Sequence, residues 1–395
     1  MSESIQCPGF QAAGIAAGIK KNGGPDLGLI YSSVPATVAG VFTRNQVQAA
    51  PVLVSKARVV QGKAQAVVVN AGNANCCTGD QGMADARTMA ALAAAELKLA
   101  PEDVLVASTG VIGAPLPIGK IESATPALAA ALAPEGLEDF SRAIMTTDTV
   151  PKLVQRRCEI DGKPVTLVAA AKGAGMIRPD MATMLCFVCS DVQISALLLQ
   201  QCLKRAVDRS LNRITIDGDT STNDMVLVMA NGLSAARVHT PDHEKIFQAL
   251  LDDLLTDIAR RLVKDGEGVT KMALIKVQGA SSNAAALRIA DTVGHSPLVK
   301  TAFFGEDANW GRIIAAVGRS GVPLDPEKID LFFDNVQLVS QGRWCGPQAE
   351  SQATAVLKQP EFTVTIDLHQ GQGADSLLTC DFSVEYVRIN ADYRS

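Results

Sequence analysis

The chain has 395 residues, 47% of them hydrophobic, 19% charged and only 4% aromatic, with a net charge of −5. That length carries two domain-sized units or one large compact one, and the small apolar side chains suit close helix-on-sheet packing. The mild negative charge and the absence of any run of five like charges argue against a nucleic-acid binder and leave a metabolic enzyme as the default.

The start, Met-Ser-Glu-Ser-Ile-Gln-Cys-Pro-Gly-Phe, lacks the basic head and apolar body of a signal peptide, and no uncharged stretch reaches the ~18 apolar residues of a spanning helix. A cytoplasmic location without membrane contact is expected. Strands are expected near Leu27 to Tyr31, Ala36 to Phe42, Ala66 to Asn70 and Val104 to Ala107, then near Val165 to Ala171, Met184 to Asp191, Arg213 to Asp217 and Met225 to Ala230. Four more fall near Met272 to Val277, Lys328 to Phe333, Phe362 to Leu368 and Leu377 to Val384. Helices are expected over Ala84 to Leu99, Ile194 to Leu211, Ser281 to Val293 and Trp310 to Val317, and along the stripe Ile246, Leu250, Leu254, Ile258 and Leu262. Strands grouped with helices but without strict alternation point to an α+β fold in layers. No repeats appear, and the looser stretches Asn22 to Asp26, Ala133 to Glu138 and Gln341 to Gln352 are too short for interdomain tethers.

Lys172-Gly-Ala-Gly-Met-Ile-Arg-Pro-Asp-Met-Ala-Thr-Met-Leu185 carries the most chemistry. A glycine-bearing loop leads to Ala182-Thr183 and then into an apolar strand, which places one hydroxyl at a loop-to-strand junction. A threonine inside a chain is a poor nucleophile, whereas one made N-terminal by cutting the preceding bond carries its own base, the free α-amine.

This segment resembles the self-cleavage site of the ornithine acetyltransferase (glutamate N-acetyltransferase) family, also called arginine biosynthesis bifunctional proteins. Further segments resemble the same family in the same order: Asn70-Ala-Gly-Asn-Ala-Asn75, Ser108-Thr-Gly-Val-Ile-Gly113, Thr146-Thr-Asp-Thr149, Arg213-Ile-Thr-Ile-Asp-Gly-Asp-Thr-Ser-Thr-Asn-Asp224, Gly266-Glu-Gly-Val-Thr-Lys271, Gly305-Glu-Asp-Ala-Asn-Trp-Gly-Arg312 and Asn390 to Ser395. The departures, Ala174, Arg178 and Asp180, leave Thr183 and its immediate neighbours untouched. The resemblance implies an N-terminal-nucleophile-like, self-processing fold, cut at Ala182-Thr183 into an α chain of 1–182 and a β chain of 183–395 that fold as one compact unit. It also implies an assembly of two α and two β chains.

The implied reaction moves an acetyl group from N2-acetyl-L-ornithine to L-glutamate through an acetyl-threonine at Thr183. Some members of the family also take acetyl-CoA as donor, and no residue here decides that. No cofactor and no metal is implied. The resemblance gives Thr109 and Gly110 the oxyanion role, and the residues agree: a hydroxyl and a backbone N–H follow a short strand, with a missing Cβ to let substrate approach. The competing reading is a glycine turn after a strand. Substrate-binding roles are implied for Thr149, Lys172, Thr183, Glu267, Asn390 and Ser395. The residues alone do not choose among Thr146, Thr147 and Thr149, and alone they make Lys172 a solvated strand-end lysine and Glu267 an exposed turn.

Other motifs fail on spacing. Gly113 to Lys120 has five residues between its glycines and no following Ser or Thr, and Gly173-Ala-Gly175 lacks the third glycine of a dinucleotide loop. Asp217 to Asp224 lacks the glycine and glutamate of a calcium loop and reads as a structural turn near the active site. Cys186 and Cys189 have metal spacing, but they sit in an apolar strand without further ligands, so structural thiols are expected. His239 and His243 fall in a turn, and a Ser-His-Asp hydrolase finds no support. The alternative function is an amidohydrolase or aminopeptidase with an N-terminal nucleophile, in which water replaces glutamate.

Overall fold

The computed structural model describes residues 4–178 and 184–392. Ala182, Thr183 and Ser395, and with them the predicted cut, lie outside the described residues. Chain contacts resolve two compact units, a first up to Asn212 and again over Asp219–Leu262, and a second over Arg213–Gly218 and from Val263 onward. This division falls elsewhere than the expected covalent one.

The first unit is built on strands β1 (Phe10–Ile15), β2 (Leu27–Phe42), β3 (Lys63–Asn73), β4 (Val104–Val111), β5 (Lys152–Ile160), β6 (Lys163–Lys172), β7 (Leu185–Ser190) and β8 (Met225–Ala230). They form one mixed sheet in the order β4-β3-β2-β8-β7-β6-β5, with β1 beside the first half of β2. The central strands β7 and β8 are buried at every position, which is why they read as unbroken apolar runs rather than as alternation. Period two sends neighbouring residues to opposite faces: Val67, Val69, Leu105 and Ala107 pack with Phe140 and Phe187, whereas Ala66, Val68, Val104 and Val106 pack under helix Gly79–Leu97 through Met89, Ala90 and Ala93.

The second unit carries β9 (Met272–Ala280), β10 (Asp330–Phe333), β11 (Val336–Ser340), β12 (Arg343–Trp344), β13 (Glu361–Asp367) and β14 (Gly373–Cys380), ordered β12-β11-β10-β13-β9-β14. Its core joins Ile275, Val277, Val364 and Ile366 to Ile289 and Val293 of helix Asn283–Gly294 and to Ile313 and Val317 of helix Trp310–Gly318. Layered sheets and helices make the chain α+β, as expected.

Several expectations are corrected. The two strands expected between Leu27 and Phe42 are one, bent where the register slips between Tyr31 and Ala36. No strand forms over Arg213 to Asp217, where a 3₁₀ turn at Leu211–Arg213 is followed by a lone bridge from Ile214 to Leu378. Within Gln341 to Gln352 the chain forms β12 and then begins helix Pro347–Leu357. The loop ending at Asp26 is tightly built: this buried carboxylate accepts the N–H groups of Ala17, Ile19 and Lys20. Along helix Pro241–Lys264 the buried stripe starts at Phe247 and Leu251, while Ile246 is exposed. A strict four-residue repeat drifts by about 40° per step around a helix of 3.6 residues per turn, so Ile246 cannot share a face with Leu262.

Candidate active site

β3 and β4 run parallel and end together, placing Gly72 opposite Gly110 where the register of β3 slips. Thr109 is buried, and Gly110 has φ +130. A Cβ at Gly110 would lie 2.3 Å from the carbonyl carbon of Gly72 and 2.6 Å from the nitrogen of Asn73, so the neighbouring strand already forbids a side chain there. A close backbone approach thus gives this glycine a reason of its own, beside the expected room for substrate.

Buried amides hold that strand end. Ser108 Oγ donates to Asn70 Oδ1 at 2.5 Å, Asn70 Nδ2 donates to the carbonyl of Asn73 at 2.9 Å, and Asn73 Nδ2 donates to the carbonyls of Ala114 and Pro115. Asn223 Nδ2 donates to the carbonyls of Ala74 and Ser108. The asparagine-rich motif at 70–75 is thus structural support for Thr109 and Gly110. From the register slip at Gly72 its backbone departs from the regular β3–β4 ladder, and side-chain amides satisfy what the ladder leaves unpaired.

Lys172, at the end of β6, is 3% exposed, which overturns the solvated alternative. Its Nζ donates to Thr109 Oγ1 at 3.4 Å and lies 3.9 Å from Asp148 Oδ2. Asp148 is buried in turn and accepts from Lys152 Nζ at 2.6 Å, from the Gly173 N–H at 2.6 Å and from the Thr146 N–H at 3.0 Å. Burial works to raise the carboxyl of Asp148, but Lys172, Lys152 and the Gly173 amide together outweigh it and hold the group down at about 2. The Asp148 carboxylate thus lies between two buried lysines, one of which contacts Thr109. Thr149, next in sequence to Asp148, is exposed.

Asp224 closes the set. Its Oδ1 accepts the N–H of Met184, the first described residue after the predicted nucleophile, at 2.9 Å, and its Oδ2 is buried without a hydrogen-bond partner among the described residues. Burial pushes this carboxyl well above the usual range, partly offset by the Met184 amide, the Lys172 charge and Ser221.

In the second unit, Glu267 is 9% exposed, against the exposed-turn alternative, and its Oε2 accepts from Asn390 Nδ2 at 2.8 Å. Asn390 lies on helix Val384–Asp392, which Ser383 ties to the Glu267 turn by donating from Oγ to the Gly268 carbonyl. A Cβ at Gly268, whose φ is +67, would meet the Tyr386 nitrogen at 2.4 Å. The structure thus pairs Glu267 with Asn390 in this unit and Thr109 with Lys172 in the first.

Asp148, Lys152, Asn223 and Asp224 were not singled out in the sequence. The available signal was an acid four residues before a lysine in Thr-Thr-Asp-Thr-Val-Pro-Lys, where the threonines drew attention instead. No group of three or more His, Cys, Asp or Glu side chains among the described residues could hold a metal. Cys186 and Cys189 are buried free thiols three apart on β7, hence on opposite faces, and burial pushes Cys186 up to about 12 and Cys189 further. His243 sits in the first turn of helix Pro241–Lys264 rather than in a turn, and both His239 and His243 face the Arg237 carbonyl through Nδ1.

A family model described as the ArgJ family matches residues 11–395. The chain belongs to the ArgJ family. Among ArgJ relatives, the arginine biosynthesis bifunctional protein of Syntrophotalea carbinolica is 51% identical over 99% of this chain and 100% of its own length. That of Desulfotalea psychrophila is likewise 51% identical, over 99% of this chain and 100% of its own. The ArgJ crystal structure from Bacillus halodurans is 42% identical, with a TM-score of 0.51, and covers 53% of this chain and 100% of that one.

Proposed function

We propose that this protein is an acyltransferase of arginine biosynthesis that moves the acetyl group of N2-acetyl-L-ornithine to L-glutamate, after cutting itself between Ala182 and Thr183. Membership of the ArgJ family supports the pathway and the self-processing acyltransfer chemistry. The observation that carries the chemical reading is the buried contact between Lys172 and Thr109, with Lys172 paired to Leu185, where β7 begins two residues after Thr183.

In this reading the α-amine of Thr183 takes the proton of its own hydroxyl, and Oγ attacks the acetyl carbon. Thr109 and the N–H of Gly110 stabilise the oxyanion. The C–N bond then breaks, the amine proton passes to the leaving nitrogen, ornithine departs, and an acetyl ester remains on Thr183. The amine of glutamate attacks that ester by the same route in reverse, returning the hydroxyl and releasing N-acetyl-L-glutamate. Glu267 accepts the ammonium of the amino-acid substrate, with Asn390 fixing its carboxylate, and Thr149, Lys172 and Ser395 complete the binding residues. No cofactor enters the cycle, and the reading extends to acetyl-CoA as a second acetyl donor. The reading includes a cytoplasmic location and two α with two β chains. No helix among the described residues is long and apolar enough to cross a membrane.

The test is intact-mass spectrometry of wild type beside Thr183→Ala, followed by acetyl transfer with and without glutamate. Two fragments from the wild type, one uncut chain from the variant, and product only when glutamate is present support the proposal. Ornithine release at the same rate without glutamate transfers the assignment to an amidohydrolase.

A further inference from the structure

The support beneath the site converges on two adjacent residues. Asn223 Nδ2 donates to the carbonyl of Ala74 at 2.7 Å and to that of Ser108 at 2.8 Å, while its Oδ1 accepts from Thr222 Oγ1 at 2.6 Å. Both amide hydrogens are therefore spent on backbone carbonyls, one just past the end of β3 and one immediately before Thr109. Asp224, the next residue, accepts the Met184 N–H at Oδ1, and the following N–H, of Met225, donates to the Met184 carbonyl at 3.2 Å. Both polar groups of the Met184 backbone are bracketed. The pair is itself pinned, because the Asp224 carbonyl accepts the Thr43 N–H at 3.0 Å.

We propose that Asn223 and Asp224 are positioning residues that fix the distance between the arm bearing the oxyanion donors and the arm that begins at the nucleophile. The proposal rests on the reading of Thr183 as nucleophile. Neither side chain is accessible, at 4% and 1% exposure, so both act through the backbone they hold and not by touching substrate. The residue types follow from the task. Two carbonyls need two donors, which a carboxylate at 223 could not supply. One amide needs one acceptor oxygen, which Asp supplies at 224 and Asn would supply equally well.

Acyl transfer is sensitive to this distance, since a misplacement of about 1 Å at a reacting centre costs on the order of 100-fold in rate. That sensitivity separates positioning from two rivals. If Asp224 instead moves a proton, Asp224→Asn abolishes activity. If the pair only stabilises the fold, rates fall no further than the folded fraction does.

The experiment follows self-cleavage by intact mass, then kcat and KM for acetylornithine of the cut enzyme, with a thermal melt of each sample, for wild type, Asp224→Asn, Asp224→Leu and Asn223→Asp. Asp224→Asn is expected within about threefold of wild type in both rates, while Asp224→Leu and Asn223→Asp lose about 100-fold in kcat with KM changed less than about threefold. The proposal is overturned if Asp224→Asn is as slow as Asp224→Leu, or if folded Asp224→Leu and Asn223→Asp keep wild-type kcat. Should both disruptive variants fail to fold, Asp224→Ala and Asn223→Ala, which remove the same bonds with a smaller change, are read in their place by the same criteria, and a slow Asp224→Asn still overturns the proposal. An uncut, inactive wild type removes the nucleophile reading and this proposal together, whereas a cut wild type with indifferent variants removes this proposal only.

Discussion

Lys172 donates from Nζ to Thr109 Oγ1 across 3.4 Å of buried space, joining the end of β6 to the end of β4. An ammonium has only donors, so Thr109 must accept in this contact, which leaves its own hydrogen for another oxygen. A charged donor behind the hydroxyl also makes that hydrogen a better partner for a developing oxyanion. Replacing Thr109 with Val keeps the shape and removes the donor. We expect kcat for acetyl transfer to fall by about 100- to 1,000-fold with little change in KM, and Thr109→Ser to recover most of the loss.

Asp148 pairs with Lys152 and lies beside Lys172, so Asp148→Asn replaces the carboxylate that both buried lysines face with a neutral amide. Breaking a buried pair in this way costs about 3–5 kcal/mol, and chemical denaturation should show a loss of that size. The wild type carries the matching acid dependence. A carboxyl held at about 2 in the fold, below its unfolded value of about 3.9, adds stability that is fully present above pH 4. That contribution is lost as pH falls toward 2. The Asp148→Asn melting curve should therefore be flatter than that of wild type across this window.

Gly110→Ala must fit a methyl group against the Gly72 carbonyl carbon at a φ of +130. Strain at such a position costs on the order of 1–3 kcal/mol. Because the methyl displaces β3 rather than substrate, the expected signature is a lower melting temperature together with slower self-cleavage. A variant that melts like the wild type but binds substrate poorly would instead favour the substrate-approach explanation of this glycine.

Glu267→Gln keeps an oxygen for Asn390 but removes the charge. A hydrogen bond to a charged group contributes about 1.5–3 kcal/mol, so KM for acetylornithine should rise by roughly 10- to 100-fold while kcat changes little. The melting temperature should stay near that of wild type, since the contact with helix Val384–Asp392 survives the change.

Legibility in the sequence followed burial. β8 was readable to the residue because Met225–Ala230 is apolar on both faces and closed by polar turns. β5 escaped because Lys-Leu-Val-Gln-Arg-Arg-Cys-Glu-Ile lies at the sheet edge, half-exposed, where charged residues mask a strand pattern. Helix Ile118–Ala130 escaped because Pro126 interrupts the pattern it otherwise satisfies, and helix Leu137–Ala143 because two turns are too few to show a period. At the site, Thr109 and Lys172 were found through resemblance, and spacing alone would have left Lys172 in solvent. Asn223 and Asp224 lay inside a matching motif but carried no chemical signature of their own, since their importance comes from which backbone groups the fold brings to them, and the signal for Asp148 was only its spacing from Lys152.

β6 and β7 stand on either side of the predicted cut, yet they are hydrogen-bonded neighbours from Leu167 opposite Ser190 to Lys172 opposite Leu185. A chain severed between them stays together in the native state and loses only its memory of connection. The loss surfaces on unfolding. Refolding of an intact precursor is a first-order event, whereas two severed pieces must first meet, so recovery of the cut protein from denaturant slows with dilution while that of an uncut variant does not. Cleavage would thus turn one folding problem into an encounter between two molecules, and make the mature state one that is reached reliably only from the precursor.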